Sequence, residues 1–295
     1  MDAEAGAPVS QTALTAAAAR AAHLIVDQPP VIFADTMAAA LLGDLAEEYL
    51  GYHRAHGEHL VLSCARGQVT CRSRYAEDSL AAAAGRGIRQ YVILGAGLDS
   101  FGYRSALAGR VRTFEVDHPA TQDWKRGVLS AARVTVPPGV TFVPADLEAV
   151  SLPGALERRG FDLSEPAFVS WLGVTMYLTP DAIGQACSAI GGFAAGTELV
   201  ADYLLPAGLR DEMGKAYADL VGPVAADRGE PWLSTWSAED MSALLKGSGF
   251  GSVAHVCQEE IGDPVTWRRS DSIRPVRLSL LAHAVAGAGW PAARR

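Results

Sequence analysis

The spacing of hydrophobic positions changes along this chain. In the N-terminal part, small apolar residues recur every three or four positions, which predicts helices over residues 13–25, 35–42 and 74–84. Thr12 and Asp35 are candidate N-caps of the first two helices, because their side chains can accept hydrogen bonds from free backbone amides. We therefore expect a helical N-terminal segment that packs over the rest of the fold.

From residue 90 onward, short apolar runs alternate with helical stretches in the rhythm of βαβ units. Several runs are apolar on both faces, as parallel strands covered by helices on each side must be. The predicted strands are residues 90–94, 111–116, 140–144, 167–173, 198–203, 252–258 and 276–282. The predicted helices are residues 123–132, 154–159, 180–193 and 237–245. The pattern predicts an α/β fold with a doubly wound, Rossmann-like sheet.

Two glycines, Gly95 and Gly97, directly follow the first predicted strand. Strand, glycine turn and helix start form the unit that binds adenosine cofactors, since backbone without Cβ can approach a ligand closely. Ser100 replaces the third glycine of the dinucleotide fingerprint. Asp99 places a carboxylate at the helix start, where it would repel a pyrophosphate but tolerate a cation. The turn therefore favours S-adenosylmethionine over a nicotinamide cofactor.

Carboxylates also end the second and third predicted strands. Asp117 lies at the distance from the glycines expected of an acid that binds ribose hydroxyls. Asp146 lies where an adenine amino group could be bound, with the backbone N–H of Leu147 beside it. Each acid alone could instead cap a helix. Together with Asp99 they would face one crevice at the carboxyl edge of the sheet.

Composition excludes several classes of partner. The chain has 295 residues and a net charge of -8, which argues against nucleic acid or an anionic membrane as the main partner. The start of the chain lacks the features of a signal peptide, and no apolar run reaches the roughly 18 residues of a membrane span. We expect a cytoplasmic protein, monomeric or homodimeric.

Cysteine and histidine spacing does not predict a metal site. The four cysteines form no C-x-x-C pair and are interpreted as reduced, mostly buried thiols; they are Cys64, Cys71, Cys187 and Cys257. His53, His56 and His59 recur every three positions, but no acidic or cysteine partner lies at ligand spacing. We therefore predict no metal.

Five ordered blocks of this sequence resemble the leucine carboxyl methyltransferase family. They are RSRYAED at 72–78, VILGAGLD at 92–99, EVDHP at 115–119, ADL at 145–147 and GVTMYLTP at 173–180. The resemblance extends from about residue 13 to residue 284 and is strongest to bacterial stand-alone O-methyltransferases of polyketide and other natural-product pathways. It implies an S-adenosylmethionine-dependent methyltransferase on a Rossmann-like sheet with an antiparallel seventh strand.

The resemblance also implies roles for individual residues. Arg72 would bind the methionine carboxylate, for which a guanidinium offers a bidentate grip, although on spacing alone it could equally face solvent. Gly95 and Gly97 would bind the methionine backbone, Asp117 the ribose, and Asp146 with Leu147 the adenine. The full predicted cofactor set is Arg72, Gly95, Ala96, Gly97, Asp99, Asp117, His118, Asp146, Leu147 and Trp171.

One position departs from the family pattern. Members that methylate a protein phosphatase carry a glutamate where this chain has Leu172. A leucine side chain cannot bind the ammonium of the cofactor, which would leave that group to backbone carbonyls near Gly95 or to water. The departure weakens the transfer of a protein-carboxylate function to this chain.

Candidate catalytic residues are few, because methyl transfer mainly requires alignment of an acceptor and exclusion of water. His118 is the candidate base for a phenol acceptor, and the alternative is a helix-start histidine with a structural hydrogen bond. Tyr177 is the candidate residue that orients the acceptor, and Tyr203 is a second; either could instead serve packing. Trp232 and Trp236 could offer a surface to an aromatic or polycyclic acceptor, or fix their segment to the core.

A basic cluster near the C-terminus could meet an acidic acceptor, but we favour a solvated face for it. Its members are Arg268, Arg269, Arg274 and Arg277. Prolines and glycines in residues 205–236 predict a helical insertion that forms a lid. We expect one methyltransferase domain: a disordered tail (1–12), a helical cap (13–88), the cofactor-binding core (89–204), the lid (205–236) and a C-terminal helix with strands (237–295).

The predicted function is methylation of a small-molecule hydroxyl or carboxyl group. The alternatives are a protein C-terminal carboxyl methyltransferase, a non-catalytic cofactor-binding relative, and a nicotinamide-dependent reductase. The reductase is disfavoured by Asp99 and Ser100 and because no Tyr-x-x-x-Lys pair is present.

Overall fold

Seven strands form one sheet in the computed structural model, which describes residues 10–146 and 150–287. The strands are Gln90–Leu94 (β1), Arg112–Asp117 (β2), Val140–Pro144 (β3), Ala167–Trp171 (β4), Glu198–Leu204 (β5), Phe250–Val256 (β6) and Ser279–Ala286 (β7). Their order across the sheet is β3-β2-β1-β4-β5-β7-β6. β1 to β5 pair in parallel, and β7 runs antiparallel between β5 and β6. The predicted Rossmann-like sheet with an antiparallel seventh strand is confirmed.

The predicted bounds of β1 and β3 are confirmed, whereas those of β6 and β7 are shifted along the chain. β6 begins earlier than predicted, because Gly251 lies within the strand next to a register shift between Phe250 and Ser252. β7 begins later, because Val276 and Leu278 are buried against the helical insertion and extend the apolar pattern beyond the ladder. Gly251 and the apolar loop before β7 therefore caused the errors in the predicted bounds of these two strands.

Ten α-helices surround the sheet within the described ranges. They are Gln11–Val26 (α1), Ala38–Leu41 (α2), Ala46–His56 (α3), Leu60–Gly85 (α4), Phe101–Arg104 (α5), Pro119–Ala131 (α6), Leu152–Glu157 (α7), Pro180–Gly191 (α8), Glu212–Asp227 (α9) and Ala238–Gly247 (α10). Thr179 and Ser237 cap α8 and α10, and α9 lies in the predicted helical insertion. In the described part of the chain, no helix is long and apolar enough to cross a bilayer.

Two predicted N-caps are wrong. Ser10, not Thr12, caps α1: its Oγ accepts a hydrogen bond from the N–H of Ala13 at 3.2 Å. Asp35 does not begin a helix, and α2 starts only at Ala38. The buried carboxylate of Asp35 instead accepts hydrogen bonds from Arg20 and Ser100, which are distant in the sequence and follow from no local pattern.

α4 begins well before the predicted residues 74–84. Its N-cap is His59, whose ring nitrogen accepts a hydrogen bond from the N–H of Val61 at 3.3 Å. Polar and small residues of its first half are buried, and Gly67 lets Ile273 approach within 3.5 Å of where a Cβ would lie. Because this half is buried without an apolar stripe, the hydrophobic spacing gave no helical signal.

The core lies on both faces of the sheet. Val92 and Leu94 of β1 point to the face covered by α7, α8 and α10. Tyr91 and Ile93 point to the opposite face, which α4 and α5 cover. Alternate side chains of one strand therefore enter two separate cores, which explains why β1 is apolar from Tyr91 to Leu94. α1 and α2 pack beside this sandwich, against α6.

A buried polar network fixes the N-terminal helices to one another. The guanidinium of Arg66 donates to both carboxylate oxygens of Asp27, at 2.8 and 2.9 Å, and to the carbonyl of Gly57 at 2.8 Å. His23 contacts the same carboxylate at 2.9 Å, and Nδ1 of His53 lies 3.3 Å from Nη1 of Arg66. Burial, and then the Arg66 charge, lower the pKa of His53 to about 4.

The four cysteines are unpaired, and three of them are buried, as the sequence predicted. Burial raises the pKa of the Cys64 thiol to about 11 and that of the Cys71 thiol to about 12. These thiols are protonated at neutral pH and are therefore weak nucleophiles.

Candidate functional site

A cavity of about 310 Å³ lies at the carboxyl ends of β1, β2 and β4. Its walls come from the turn after β1, the end of β2, the segment after β4, the first turns of α1 and the loop after α9. The volume is at the lower end of the range for small-molecule sites, and the position is the usual one for ligands of doubly wound sheets.

The glycine turn provides backbone at the floor of the cavity. Gly95 and Gly97 have φ of +64° and +46°, in the left-handed region that favours glycine. A Cβ on Gly95 would lie 2.4 Å from a methyl group of Val174, and a Cβ on Gly97 would lie 3.2 Å from Cβ of Ala13. Both glycines are therefore required by backbone conformation and by the elements packed against the turn. Ala96, between them, also lines the cavity.

Asp117 connects the end of β2 to the glycine turn. Its Oδ2 accepts a hydrogen bond from the N–H of Gly97 at 2.5 Å, and its Oδ1 accepts one from the N–H of His118 at 2.7 Å. Burial raises the pKa of Asp117, and the two backbone donors partly oppose that rise. The carboxylate lines the cavity, so its remaining lone pairs can accept hydrogen bonds from a bound ligand.

Asp99 lines the cavity and also accepts a hydrogen bond from the protein backbone. Its Oδ1 accepts a hydrogen bond from the N–H of Phe101 at 2.7 Å, at the start of α5. Asp99 therefore faces the ligand space, as predicted, and also accepts a hydrogen bond from a backbone amide at the helix start.

Arg72 reaches the cavity from α4 and is fixed by an acid that the sequence analysis did not single out for this role. Nη1 of Arg72 lies 3.0 Å from Oδ2 of Asp202, and Oδ1 of Asp202 accepts a hydrogen bond from the N–H of Gly173 at 2.6 Å. Gly173 has φ of +74°, and a Cβ there would lie 2.3 Å from Nη2 of Arg72. The guanidinium therefore packs closely against the backbone of Gly173, and Arg72 also lines the cavity.

A second arginine, Arg20, was missed altogether. It lines the cavity from α1, donating to the carbonyl of Leu98 at 2.7 Å and to Asp35 at 2.7 Å. Ser100 donates to the other oxygen of Asp35 at 2.7 Å. This buried network attaches α1 to the glycine turn. The sequence did offer one signal for this residue, because Arg20 is an arginine within an otherwise alanine-rich helix.

The roof of the cavity is formed by the start of α1 and the loop after α9. Glu230 accepts hydrogen bonds from Oγ of Ser10 at 2.7 Å, from the N–H of Thr12 at 3.3 Å and from the Thr12 hydroxyl. Tyr177 lies on the wall nearby and is half-buried. The predicted position of Tyr177 at the lip of the fourth strand agrees with this placement.

Several predicted residues lie elsewhere. Trp171 is fully buried in the core of the sheet, and its neighbours Ser170 and Leu172 line the cavity instead, because side chains alternate along a strand. His118 is exposed and caps α6, its Nδ1 accepting a hydrogen bond from the N–H of Ala120 at 3.3 Å, which favours the structural alternative over a base. Asp146 is exposed after β3.

Leu147, the predicted partner of Asp146, lies outside the described residues.

The aromatic and basic candidates for an acceptor surface have structural roles. Trp232 packs against residues of α4, α9 and β5, and Trp236 packs against the main core, so both fix the insertion to the fold. The buried Tyr203 places its hydroxyl 2.7 Å from His255. Arg269 is buried and paired with Asp271 at 2.6 Å, which corrects the expectation of a solvated face for this residue.

The other three arginines of that cluster, Arg268, Arg274 and Arg277, are exposed. The histidines at 53, 56 and 59 do not converge, since His53 belongs to the Arg66 network and His59 caps α4. Within residues 10–146 and 150–287, no three histidine, cysteine or acidic side chains are grouped to bind a metal ion.

Comparison with known proteins decides the family. The profile of the leucine carboxyl methyltransferase family matches residues 13–191, more than half of the chain. This chain belongs to that family. The predicted family is therefore confirmed, and with it the predicted enzyme class, a methyltransferase.

Two similar proteins illustrate the bacterial members. YktD of Bacillus subtilis, provisionally named an S-adenosyl-L-methionine-dependent methyltransferase, is 30% identical over 298 residues, which cover 94% of this chain and 97% of that protein. A protein of Mycobacterium marinum with the same provisional name is 34% identical over 206 residues, 66% of each chain.

Solved structures confirm the fold. A provisionally assigned methyltransferase from Thermobifida fusca aligns with a TM-score of 0.61 at 18% identity and covers 97% of both chains. A DUF574-family protein from Streptomyces avermitilis aligns with a TM-score of 0.58 at 18% identity, covering 91% of this chain and 96% of that one. At 18% identity, these two structures support the fold alone.

Proposed function

We propose that this chain is an S-adenosyl-L-methionine-dependent O-methyltransferase that methylates a hydroxyl or carboxyl group of a small molecule in natural-product biosynthesis of polyketide type. The observation that carries the proposal is the cavity at the sheet edge, where Arg72, the glycine turn and Asp117 face one space. A guanidinium, closely approachable backbone and a strand-end carboxylate suit the tail carboxylate, the methionine chain and the ribose of that donor.

S-adenosyl-L-methionine is the cofactor, as the sequence predicted and as the names of the similar bacterial proteins state for them. We assign its tail carboxylate to Arg72, its methionine chain to the backbone of residues 95–97 and its ribose to Asp117. Asp146 and Leu147 are assigned to the adenine, which would lie beside the end of β3. Asp99 adds negative charge to the wall that a cationic donor faces.

When bound, the donor supplies a methyl group already activated by a sulfonium. The chain itself aligns the acceptor and excludes water, so proximity accounts for most of the acceleration. The roof formed by α1 and the loop after α9 provides the exclusion, since Glu230 joins the two across the cavity. Burial raises the pKa of Tyr177, so its hydroxyl stays protonated and can donate a hydrogen bond to the acceptor.

A small acceptor is favoured over a protein terminus by two features of the wall. Leu172 lines the cavity where the resemblance places a glutamate in phosphatase-methylating members. A polypeptide terminus would also have to enter beneath the roof, which Ser10, Thr12 and Glu230 close with hydrogen bonds. The resemblance to bacterial stand-alone O-methyltransferases supports the natural-product assignment.

Calorimetry followed by a transfer assay tests the proposal. S-adenosylhomocysteine should bind the full-length chain and NAD should not. Labelled methyl groups from S-adenosylmethionine should appear on a member of a panel of phenols and carboxylic acids, and not on a peptide with a C-terminal leucine. Binding without transfer to any acceptor would favour a non-catalytic relative, and transfer to the peptide would favour the protein methyltransferase.

A further inference from the structure

We propose that Glu230, on the loop after α9, binds the ammonium group of the donor's amino-acid tail, opposite Arg72, which binds the tail carboxylate. The inference rests on the proposed function, because it requires that the cavity binds S-adenosylmethionine. It assigns to the insertion a direct part in cofactor recognition, in addition to its part in covering the cavity.

The contacts of Glu230 place a carboxylate at the roof. Its two oxygens accept hydrogen bonds from Oγ of Ser10 at 2.7 Å, from the N–H of Thr12 at 3.3 Å and from the hydroxyl of Thr12. A carboxylate offers about four lone-pair sites, so three donors leave room for one more. The side chain also lines the cavity, so the further donor can come from a ligand.

Arg72, Glu230 and Tyr177 line the same cavity. Burial is the largest cause of the raised pKa of the Tyr177 hydroxyl; hydrogen bonds with Thr12 and Trp232 and the positive charge of Arg72 lower this pKa, and the negative charge of Glu230 raises it. A cation and an anion that line one cavity and both act on one phenol form a pair of opposite charges. An α-amino acid tail, with a carboxylate and an ammonium on one carbon, carries the complementary pair of charges.

The other charged residues of the wall have different partners. Asp117 accepts hydrogen bonds from two backbone amides at the ribose end, and Asp99 accepts one at the start of α5. Arg20 is bound to Asp35 and to the carbonyl of Leu98. Of the acids that line the described cavity, Glu230 is the one whose charge acts on Tyr177 together with that of Arg72.

Leu172 is the reason that the ammonium group needs a partner elsewhere in the cavity. It lines the same cavity with an apolar side chain and cannot bind an ammonium group. The resemblance places a glutamate at that position in phosphatase-methylating members, on the segment after β4. In this chain the negative charge would come from the roof instead, so the loop after α9, which already contacts the start of α1, would also contact the tail.

The experiment compares two probes by calorimetry on the full-length chain. S-adenosylhomocysteine carries the amino-acid tail, whereas 5′-methylthioadenosine has the adenine and ribose without it. Glu230→Gln keeps the side-chain volume but removes the charge: its one oxygen can still accept from Thr12, and its amide N–H can donate to Oγ of Ser10. The Kd of S-adenosylhomocysteine should rise about tenfold or more, as expected for loss of a charged hydrogen bond, and that of 5′-methylthioadenosine should not change.

Three controls define the result. Glu212→Gln, an exposed glutamate of the same insertion, should leave both Kd values unchanged. Asp117→Asn should weaken both probes, because both contain the ribose. Thr12→Val removes a roof contact but keeps the Glu230 charge, and it should weaken S-adenosylhomocysteine less than Glu230→Gln does.

Either of two outcomes would overturn the inference: an unchanged Kd of S-adenosylhomocysteine in Glu230→Gln, or equal weakening of both probes in a folded variant. If thermal unfolding shows that Glu230→Gln has lost the fold, Glu230→Asp takes its place and should weaken S-adenosylhomocysteine alone. A wild-type chain that does not bind S-adenosylhomocysteine would instead refute the proposed function, and this inference with it.

Discussion

The guanidinium of Arg72 lies 3.0 Å from the carboxylate of Asp202, which belongs to β5, and the same carboxylate accepts a hydrogen bond from the N–H of Gly173 at 2.6 Å. One acid therefore fixes both the cation that we assign to the donor and the backbone against which that cation lies. Asp202 is a positioning residue, since it acts on the ligand through Arg72.

Asp202→Asn should weaken S-adenosylhomocysteine by about tenfold, because the guanidinium loses its ionic partner and its fixed orientation. The neutral amide can still accept the hydrogen bond from Gly173, so the fold should be retained. Calorimetry with 5′-methylthioadenosine is the matched measurement, and its Kd should not change. Equal loss for both ligands would show that Asp202 supports the whole site and not Arg72 alone.

Asp117→Ala should lower the affinity for S-adenosylhomocysteine by about 1 to 3 kcal/mol, the range for loss of a charged hydrogen-bond partner. The variant also leaves the N–H of Gly97 without its acceptor, which loosens the turn. Asp123→Ala, an exposed acid on α6, is the control and should bind normally. An unchanged affinity in Asp117→Ala would remove the ribose assignment.

His118→Ala tests the histidine that the sequence analysis named as a base. Because its ring caps α6, the substitution should lower the free energy of unfolding by about 1 kcal/mol and leave turnover nearly unchanged. His118→Asn, which can still cap the helix, should restore stability. A fall in kcat of about a hundredfold or more, in the range of a lost general base, would reinstate the catalytic role.

The buried His53 should make stability depend on pH. Its pKa is lowered to about 4 in the folded chain, by burial and then by Arg66, against an ordinary value of 6.5. Between these values the unfolded chain binds a proton that the folded chain does not, so the free energy of unfolding falls as the pH decreases from 6.5 to 4. The His53 contribution is fully present above pH 6.5 and amounts to about 3 kcal/mol.

Urea unfolding of the wild type and of His53→Gln over this pH range isolates that contribution. The glutamine oxygen can still accept from Arg66 but does not titrate, so the variant should gain stability relative to the wild type as the pH falls. A pH-independent difference between the two proteins would contradict the assignment.

The sheet could be predicted because its strands are apolar on both faces and are separated by turn residues. The bounds of β1 and β3 were obtained directly, and Asp117 and the glycine turn followed from their places at strand ends. The prediction that Trp171 binds the cofactor was wrong, and the sequence contains the reason. Side chains alternate along β4, so Ser170 and Leu172 face the cavity and Trp171 faces the core.

The rest of the site could not be predicted, because its contacts join distant parts of the chain. Arg20 meets Leu98, Arg72 meets Asp202, and Glu230 meets Ser10 and Thr12, and no local spacing encodes these pairs. The Arg66 network is of the same kind, with partners from three N-terminal helices. Long-range polar pairs become visible only when the fold places the elements together.

The contact of Glu230 with the first turn of α1 has a consequence for the catalytic cycle. In the proposed function, spent cofactor would lie beneath that contact, and separation of Ser10 and Thr12 from the loop would open its way out. We therefore expect escape of the demethylated product, and not the chemical step, to limit the steady-state rate. An initial burst of methylated acceptor before the slower phase would be the kinetic signature of such a trapped product.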